Sequence, residues 1–235
     1  DCGGTPVPVP AWLDEVTCFI SVPKLKTHGL TGITCALKNS YGLVVGQAKA
    51  AQHANFPAPH SMSRFIVDVF SLFPPDLIIA DAVTAMQGEG PANGTAVPLG
   101  VVLAGRDAVA LDAMGCKAYG IEAAHLPLIR RAAEKGLGVM RADLLRIRGG
   151  GLLRLEQARL KQSVARWLHK IPDPVFRLVT RLVACRPLIN ADQCTACGVC
   201  ANVCSQGAIV FDRKRGSYKV NRAACIMCLC CAEAC

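Results

Sequence analysis

A chain of 235 residues that is 52% hydrophobic has enough apolar material for one large or two small packed cores, which excludes disorder as its main state. Only 5% of residues are aromatic, so the apolar character rests on Ala, Val, Leu, Ile and Cys; runs such as Pro98 to Ala104 fall far short of the roughly 18–20 residues of a membrane-spanning helix. The net charge of +9 is concentrated, because residues 141–190 hold eleven Lys or Arg against three acids.

The chain opens on Asp1 rather than Met and reads as a fragment or a trimmed sequence, so the expected cytoplasmic location is stated without a test of any leader. Residues 1–140 read as an α/β domain. Thr17 to Val22 is a β-branched and aromatic run expected to form a buried strand. The loop Pro23 to His28 follows, and then a helix over about Thr31 to Tyr41. Ser61 to Phe73 has helical periodicity, Pro75 to Asp81 is a second strand and Pro98 to Ala104 a third. Helices are expected from Asp107 to about Tyr119 and over Pro127 to Lys135, the latter closed by Gly136. Strands alternating with helices imply a mostly parallel sheet with flanking helices.

In such sheets ligands bind beyond the carboxyl ends of the strands. Lys24, Lys26 and His28 fall there after the first strand, Asp81 after the second, and Arg106 with Asp107 after the third. Ammonium groups beside a helix N-terminus suit a carboxylate or phosphate, and Lys38 and Asn39 extend that site if the helix turns them inward. Asp107 reads first as a helix N-cap. Asp81 also reads as the start of a turn into Gly88-Glu89-Gly90-Pro91, where glycines permit close backbone approach. The resemblance of residues 88–94 to a nucleotide-binding glycine motif is weak, since Pro91 follows and a strand comes next. His53 and His60 read as loop histidines.

The stretches Val22-Pro23-Lys24-Leu25-Lys26-Thr27-His28, Ala36-Leu37-Lys38-Asn39, Asp76 to Asp81, and Ala104-Gly105-Arg106-Asp107 leading to Leu111-Asp112 resemble the family called domain of unknown function 362. The resemblance covers roughly residues 7–140. It implies an α/β domain that often accompanies ferredoxin-type clusters, and it implies no particular reaction. Members usually carry a further N-terminal portion, so part of the sheet is expected to be absent from this chain.

Residues 141–190 read as a basic helical connector. Leu152, Leu155, Leu160, Val164, Trp167 and Leu168 give one amphipathic helix over 151–170, and Val175, Phe176, Val179, Leu182 and Val183 a second over 174–186; Pro172, Pro174 and Pro187 punctuate them. Such helices suit peripheral contact with an anionic membrane or an acidic redox partner, or simply a solvated face. Nucleic acid is not expected as a partner, since no aromatic platform accompanies the arginines.

Residues 191–235 carry two tandem C-x2-C-x2-C-x3-C runs: Cys194, Cys197, Cys200 and Cys204, then Cys225, Cys228, Cys231 and Cys235. Thiolates at this spacing converge on one soft centre, and the natural reading is iron–sulfur ligation. A zinc site and disulfides are the alternatives; zinc has no need of two interleaved runs, and disulfides require an oxidising compartment. Ala208 to Phe211 and Tyr218 to Val220 read as two short strands joined by a polar turn. The segment resembles bacterial-type dicluster ferredoxins, with Ser205 where that family usually has Pro. The resemblance implies two [4Fe–4S] clusters with exchanged fourth ligands: Cys194, Cys197, Cys200 and Cys235 on one, and Cys225, Cys228, Cys231 and Cys204 on the other. Cys230 is out of register and reads as a packed thiol.

Together these features lead to the expectation of an iron–sulfur electron-transfer protein. It would be an oxidoreductase component whose clusters exchange electrons with a small anionic substrate or acceptor in the α/β domain. There Lys24, Lys26, His28 and Asp81 would do chemistry, and Lys38, Asn39, Arg106 and Asp107 would hold the anion. A non-enzymatic carrier docking a redox partner protein and a redox sensor are the rival readings.

Overall fold

In a computed structural model the described residues are 6–91, 93–182, 187–225 and 230–235. The long element is a hairpin. Strand β4 (Leu77–Glu89) and strand β5 (Asn93–Gly105) pair antiparallel from Ile78↔Gly105 to Glu89↔Asn93. Alternation buries Ile78, Ala80 and Ala82 on one face of β4, as a two-residue period requires. Two earlier strands lie parallel to β4 in succession: β1 (Ile20–Ser21) beside Leu77 and Ile78, then β2 (Lys24–His28) beside Asp81 and Met86. Strand β3 (Gly32–Thr34) folds back antiparallel on β2.

The α/β class with flanking helices is as expected, and the sheet contains both kinds of pairing: β4 with β1 and β2 is parallel, β4 with β5 and β2 with β3 antiparallel. Several local expectations are corrected. Residues 24–28 are a strand rather than a loop, because Leu25 and Thr27 are fully buried between two paired neighbours while the lysines point the other way. The lysines disguise that alternation in the sequence. The helix expected over 31–41 is β3, then the short helix α1 (Ala36–Asn39) and a 3-10 turn Ser40–Leu43. Asp81 lies inside β4 rather than opening a turn.

Helices α2 (Gly46–Asn55) and α3 (Pro59–Leu72) connect β3 to β4. Helix α4 (Ala108–Lys117) starts where expected: Asp107 accepts from the Ala110 amide at 2.8 Å and, through its second oxygen, from the Val139 amide at 2.8 Å. Helix α5 (Pro127–Glu134) ends before Gly136, whose φ of 73° a glycine tolerates. The core joins Leu25, Ile33, Leu37, Phe65, Ile66 and Ile78 from sheet and helices.

The basic stretch is bound to this core. Helix α6 (Gly151–Ala158) buries Leu155, and Leu160 follows it into the same cluster. The single helix expected over 151–170 breaks at Arg159, which adopts a left-handed conformation, and resumes as a 3-10 helix, Val164–Lys170. Helix α7 is Asp173–Leu182. No helix among the described residues is long and apolar enough to cross a membrane.

The C-terminal unit is small. Helix α8 (Val199–Asn202) packs against helix α9 (Cys230–Ala234), and strands β6 (Ile209–Asp212) and β7 (Ser217–Val220) form an antiparallel hairpin in the expected place. Phe211 and Tyr218 meet edge to face across it, 5.2 Å apart.

Candidate functional site

Strand β2 sets out the lysines. Lys24, Lys26 and His28 share one face, but four residues of strand span about 13 Å, so the three do not converge on one atom. Lys24 is instead matched with its cross-strand neighbour Asp81, Nζ to Oδ2 at 2.6 Å. That bond, with the Val83 amide on Oδ1, holds the Asp81 carboxyl below the usual carboxylate range. Both side chains are largely exposed, so the pair contributes little and keeps Asp81 occupied.

His28 is different. It is 8% exposed, and its Nδ1 accepts hydrogen bonds from the amides of Leu30 at 3.0 Å and Thr31 at 3.3 Å. Those two donors fix the neutral tautomer with the proton on Nε2. Burial, then the charges of Lys38, His53, Lys26 and His169, press its pKa down to about 2. Lys26 stands two residues before His28 on the same face of β2, and the charge of Lys38, whose ammonium lies over the Tyr41 ring at 5.8 Å, acts on the same imidazole. Asn39 turns away from this group and donates to Ser21 Oγ at 2.9 Å. Arg106 donates to the Asp76 carbonyl at 3.2 Å, beside the start of β4, because β5 runs antiparallel and carries its carboxyl end back there. Arg106 and Asp107 therefore stand apart from His28. All four expected anion-holding residues thus have structural partners, Lys38 through the Tyr41 ring, over which its ammonium lies at 5.8 Å.

On its other side His28 borders a cavity of about 210 Å³, walled by Gly32, residues 120–126 and the 3-10 helix Val164–Lys170. The hairpin tip holds that helix in place. Glu89 accepts from Ser163 Oγ at 2.9 Å and the Val164 amide at 2.8 Å, and Gln87 accepts from the Lys161 amide at 3.0 Å. The glycine turn has the role its composition implies: the Gly90 amide donates to Thr27 Oγ1 at 3.2 Å, and a Cβ at Gly90 would overlap the Thr27 carbonyl. His169, buried in the cavity wall, escaped the sequence reading, since its burial depends on the hairpin tip more than 70 residues away.

Asp112 was equally hidden. It sits fully buried in α4 and accepts from the amides of Ala36 at 2.6 Å and Leu37 at 3.1 Å, capping α1 from a distant helix. Burial raises its pKa to about 7, and the two amides and the Cys35 thiol pull the other way.

In the C-terminal unit burial raises the Cys200 thiol, and the neighbouring Cys235, Cys194 and Cys197 add to the rise. Cys235 thus lies near enough to the first run for its charge to act on Cys200. The Val199 amide and the Thr195 hydroxyl hold Cys197 below its ordinary value, as donors to a thiolate do. Cys204 Sγ accepts from the Ala208 amide at 3.2 Å. Cys228 lies outside the described residues, and Cys225 and Cys231 are half-buried. Among the described residues no three His, Cys, Asp or Glu side chains gather tightly enough for a single ion. A cubane places its four thiolates on four different irons and spreads its ligands more widely. None of the described cysteines forms a disulfide. The donor set fits iron–sulfur clusters.

Residues 4–117 match the family described as "Domain of unknown function (DUF362)", and residues 186–235 match the "4Fe-4S dicluster domain". A thylakoid-associated protein of Synechocystis is 32% identical over 133 residues, covering 55% of this chain and 41% of that protein. The chain thus spans less than half the length of this relative. No solved structure gives a significant match.

Proposed function

We propose, for a chain that joins a domain of the DUF362 family to a dicluster domain holding two [4Fe–4S] clusters, an oxidoreductase component whose electron acceptor is a small anion bound beside His28. Iron–sulfur clusters supply one-electron transfer, and the chain is accordingly an iron–sulfur electron-transfer protein. The observation that carries the finer reading is a buried His28, held neutral by two amides on Nδ1, with Lys26 on the same face of β2 and the charge of Lys38 acting on it. The lysines attract and orient negative charge, and the Nε2–H of His28 donates a hydrogen bond to charge that builds on the acceptor. An imidazolium is out of reach at neutral pH, so His28 polarises the acceptor rather than protonating it. Lys24 and Asp81 drop out of the proposed chemistry because they satisfy each other. Described thiols without disulfides accord with a reducing compartment such as the cytoplasm.

The test is re-oxidation of anaerobically reduced protein by a panel of small anionic acceptors. Lys26→Ala should slow re-oxidation at least about tenfold, the worth of one lost charge-assisted contact, while reduction by dithionite is unchanged. Equal rates for both proteins across the panel would reject the assignment.

A second reading is supported by the outer surface of the 3-10 helix. Val164 is 77% and Trp167 57% exposed, and Arg166 and Lys170 stand over the Trp167 ring at 5.1 and 4.8 Å. An exposed indole ringed by cations suits peripheral docking on an anionic surface. Sedimentation with phosphatidylserine vesicles at low salt, lost in about 0.5 M salt where the screening length is only a few ångströms, is the expected result. Binding to uncharged vesicles alone would exclude it.

A further inference from the structure

All five cations of residues 191–235 fall within ten residues: Arg213, Lys214, Arg215, Lys219 and Arg222. The fold gathers them on the β6–β7 hairpin and the turn that leaves it, and all five are exposed. One acid accompanies them, Asp212, and it is already occupied. Lys219 Nζ lies 3.2 Å from its Oδ2, and that bond holds the carboxyl below its usual range. Its other oxygen accepts from the Lys214 amide at 3.1 Å, and Gly216 supplies the φ of 63° that the tight turn needs. Among the described residues Arg213, Lys214, Arg215 and Arg222 form no ion pair. A fixed turn thus presents cations that the protein itself does not neutralise.

Compensation of cluster charge does not account for their placement. The tip lies three strand residues, roughly 10 Å, beyond the base of the hairpin, where the Ala208 amide donates to Cys204 Sγ. The charge of Arg213, Lys214 and Arg215 is therefore carried outward, away from the thiolates. The hairpin nevertheless leans on the first cysteine run: a Cβ at Gly198, between Cys197 and Cys200, would come within 2.9 Å of the Tyr218 hydroxyl. A molecule held by the hairpin is held beside cluster ligands. A lipid surface is the poorer match, since Phe211 is braced edge to face by Tyr218 and the turn beyond it reads Arg-Lys-Arg-Gly, with no apolar side chain to enter an interface. A protein surface rich in carboxylates needs only complementary charge at this rim.

We propose that the β6–β7 hairpin is the docking surface for an acidic electron-carrier protein, whose carboxylates meet Arg213, Lys214 and Arg215. The proposal involves neither the Trp167 surface nor the anion site beside His28.

The experiment is calorimetric titration of the oxidised, cluster-loaded full chain with an oxidised acidic flavodoxin, so that no electrons move, and with cytochrome c as the basic counter-probe. Saturable binding of flavodoxin is expected in about 0.02 M salt, weakened at least about tenfold in about 0.2 M salt, with no binding of cytochrome c. Arg213→Gln/Arg215→Gln should weaken flavodoxin about tenfold, from two exposed charge pairs lost. Arg146→Gln/Arg148→Gln removes the same charge at the same spacing from exposed positions in the connector, and should leave the affinity within about twofold. Both variants are titrated at the iron content of the parent. No saturable flavodoxin binding, affinity unmoved by the hairpin variant, equal weakening by the two variants, equal binding of cytochrome c, or hairpin-dependent binding of phosphatidylserine vesicles in place of flavodoxin each overturns the proposal.

Discussion

The double variant Cys197→Ala/Cys235→Ala should keep about half the iron of the parent protein, close to four atoms per chain, whereas Cys197→Ala/Cys204→Ala should lose nearly all of it. The two pairs separate exchanged ligation from ligation within each run. Cys197 and Cys204 belong to one run in the sequence, while Cys235 lies near enough to that run in the fold for its charge to act on Cys200. With exchanged ligands the first variant damages one cluster and the second damages both; ligation within runs reverses the result. The controls are acid-labile sulfide and the EPR spectrum of the reduced protein, in which the first variant should lose the coupling between two centres. A chain segment of about 45 residues has too little core to fold strongly by itself, so cluster loss should also cost it much of its order. A first variant that holds no iron beside a second that holds half would show that the fourth cysteine of each run serves its own cluster.

How far the sequence was legible follows from where each signal lies. The cysteine runs are local: all eight candidate ligands sit within 42 residues at fixed spacings, so the chemistry was readable before any fold was known. The N-cap at Asp107 and the β6–β7 hairpin were readable for the same reason, since each depends on neighbours a few residues away. Strand β2 was not, because Lys24 and Lys26 lower its apparent hydrophobicity and its parallel partners on β4, Asp81 and Met86, lie 57 and 60 residues further along. The continuation of β4 beyond Asp81 to Glu89 was missed since Gly88 and Gly90 signal a turn, and the turn comes only after the strand has run eight residues past the expected Pro75 to Asp81. The candidate site shows the same division. Lys26, His28 and Lys38 were found by their position near a helix start. His169, Arg166 and Lys170 looked like parts of a connector, and only the bonds from Glu89 and Gln87 reveal that this segment closes the cavity.

Replacing Asp112 with Ala should destabilise the α/β domain by about 2–4 kcal/mol, because the amides of Ala36 and Leu37 are buried and lose their acceptor together. Asp112→Asn is the sharper probe. It retains one acceptor oxygen, turns an N–H toward the second amide, and removes a titrating group. In the native state Asp112 keeps its proton up to about pH 7, while in the unfolded chain it ionises near 3.8. Between those values the native state binds the extra proton, so this residue alone makes stability fall as pH rises, by about 1.4 kcal/mol per unit. Three histidines act in the opposite sense and outnumber it. His28, His53 and His169 are held neutral by burial down to about 2, 4 and 4, so between pH 6.5 and 4 the unfolded chain binds three protons that the native one does not. The wild-type domain should therefore lose about 2.7 kcal/mol per unit on acidification in that window, from a net difference of two protons. Asp112→Asn should steepen the loss to about 4 kcal/mol per unit, from a difference of three. Urea unfolding followed by tryptophan fluorescence between pH 6.5 and 5 measures the slopes in the α/β domain, because Trp12 and Trp167 are the chain's two tryptophans and both lie outside residues 191–235. Parallel slopes for the two proteins would mean that Asp112 is ionised in the native state and that the amides of α1, rather than burial, decide its charge.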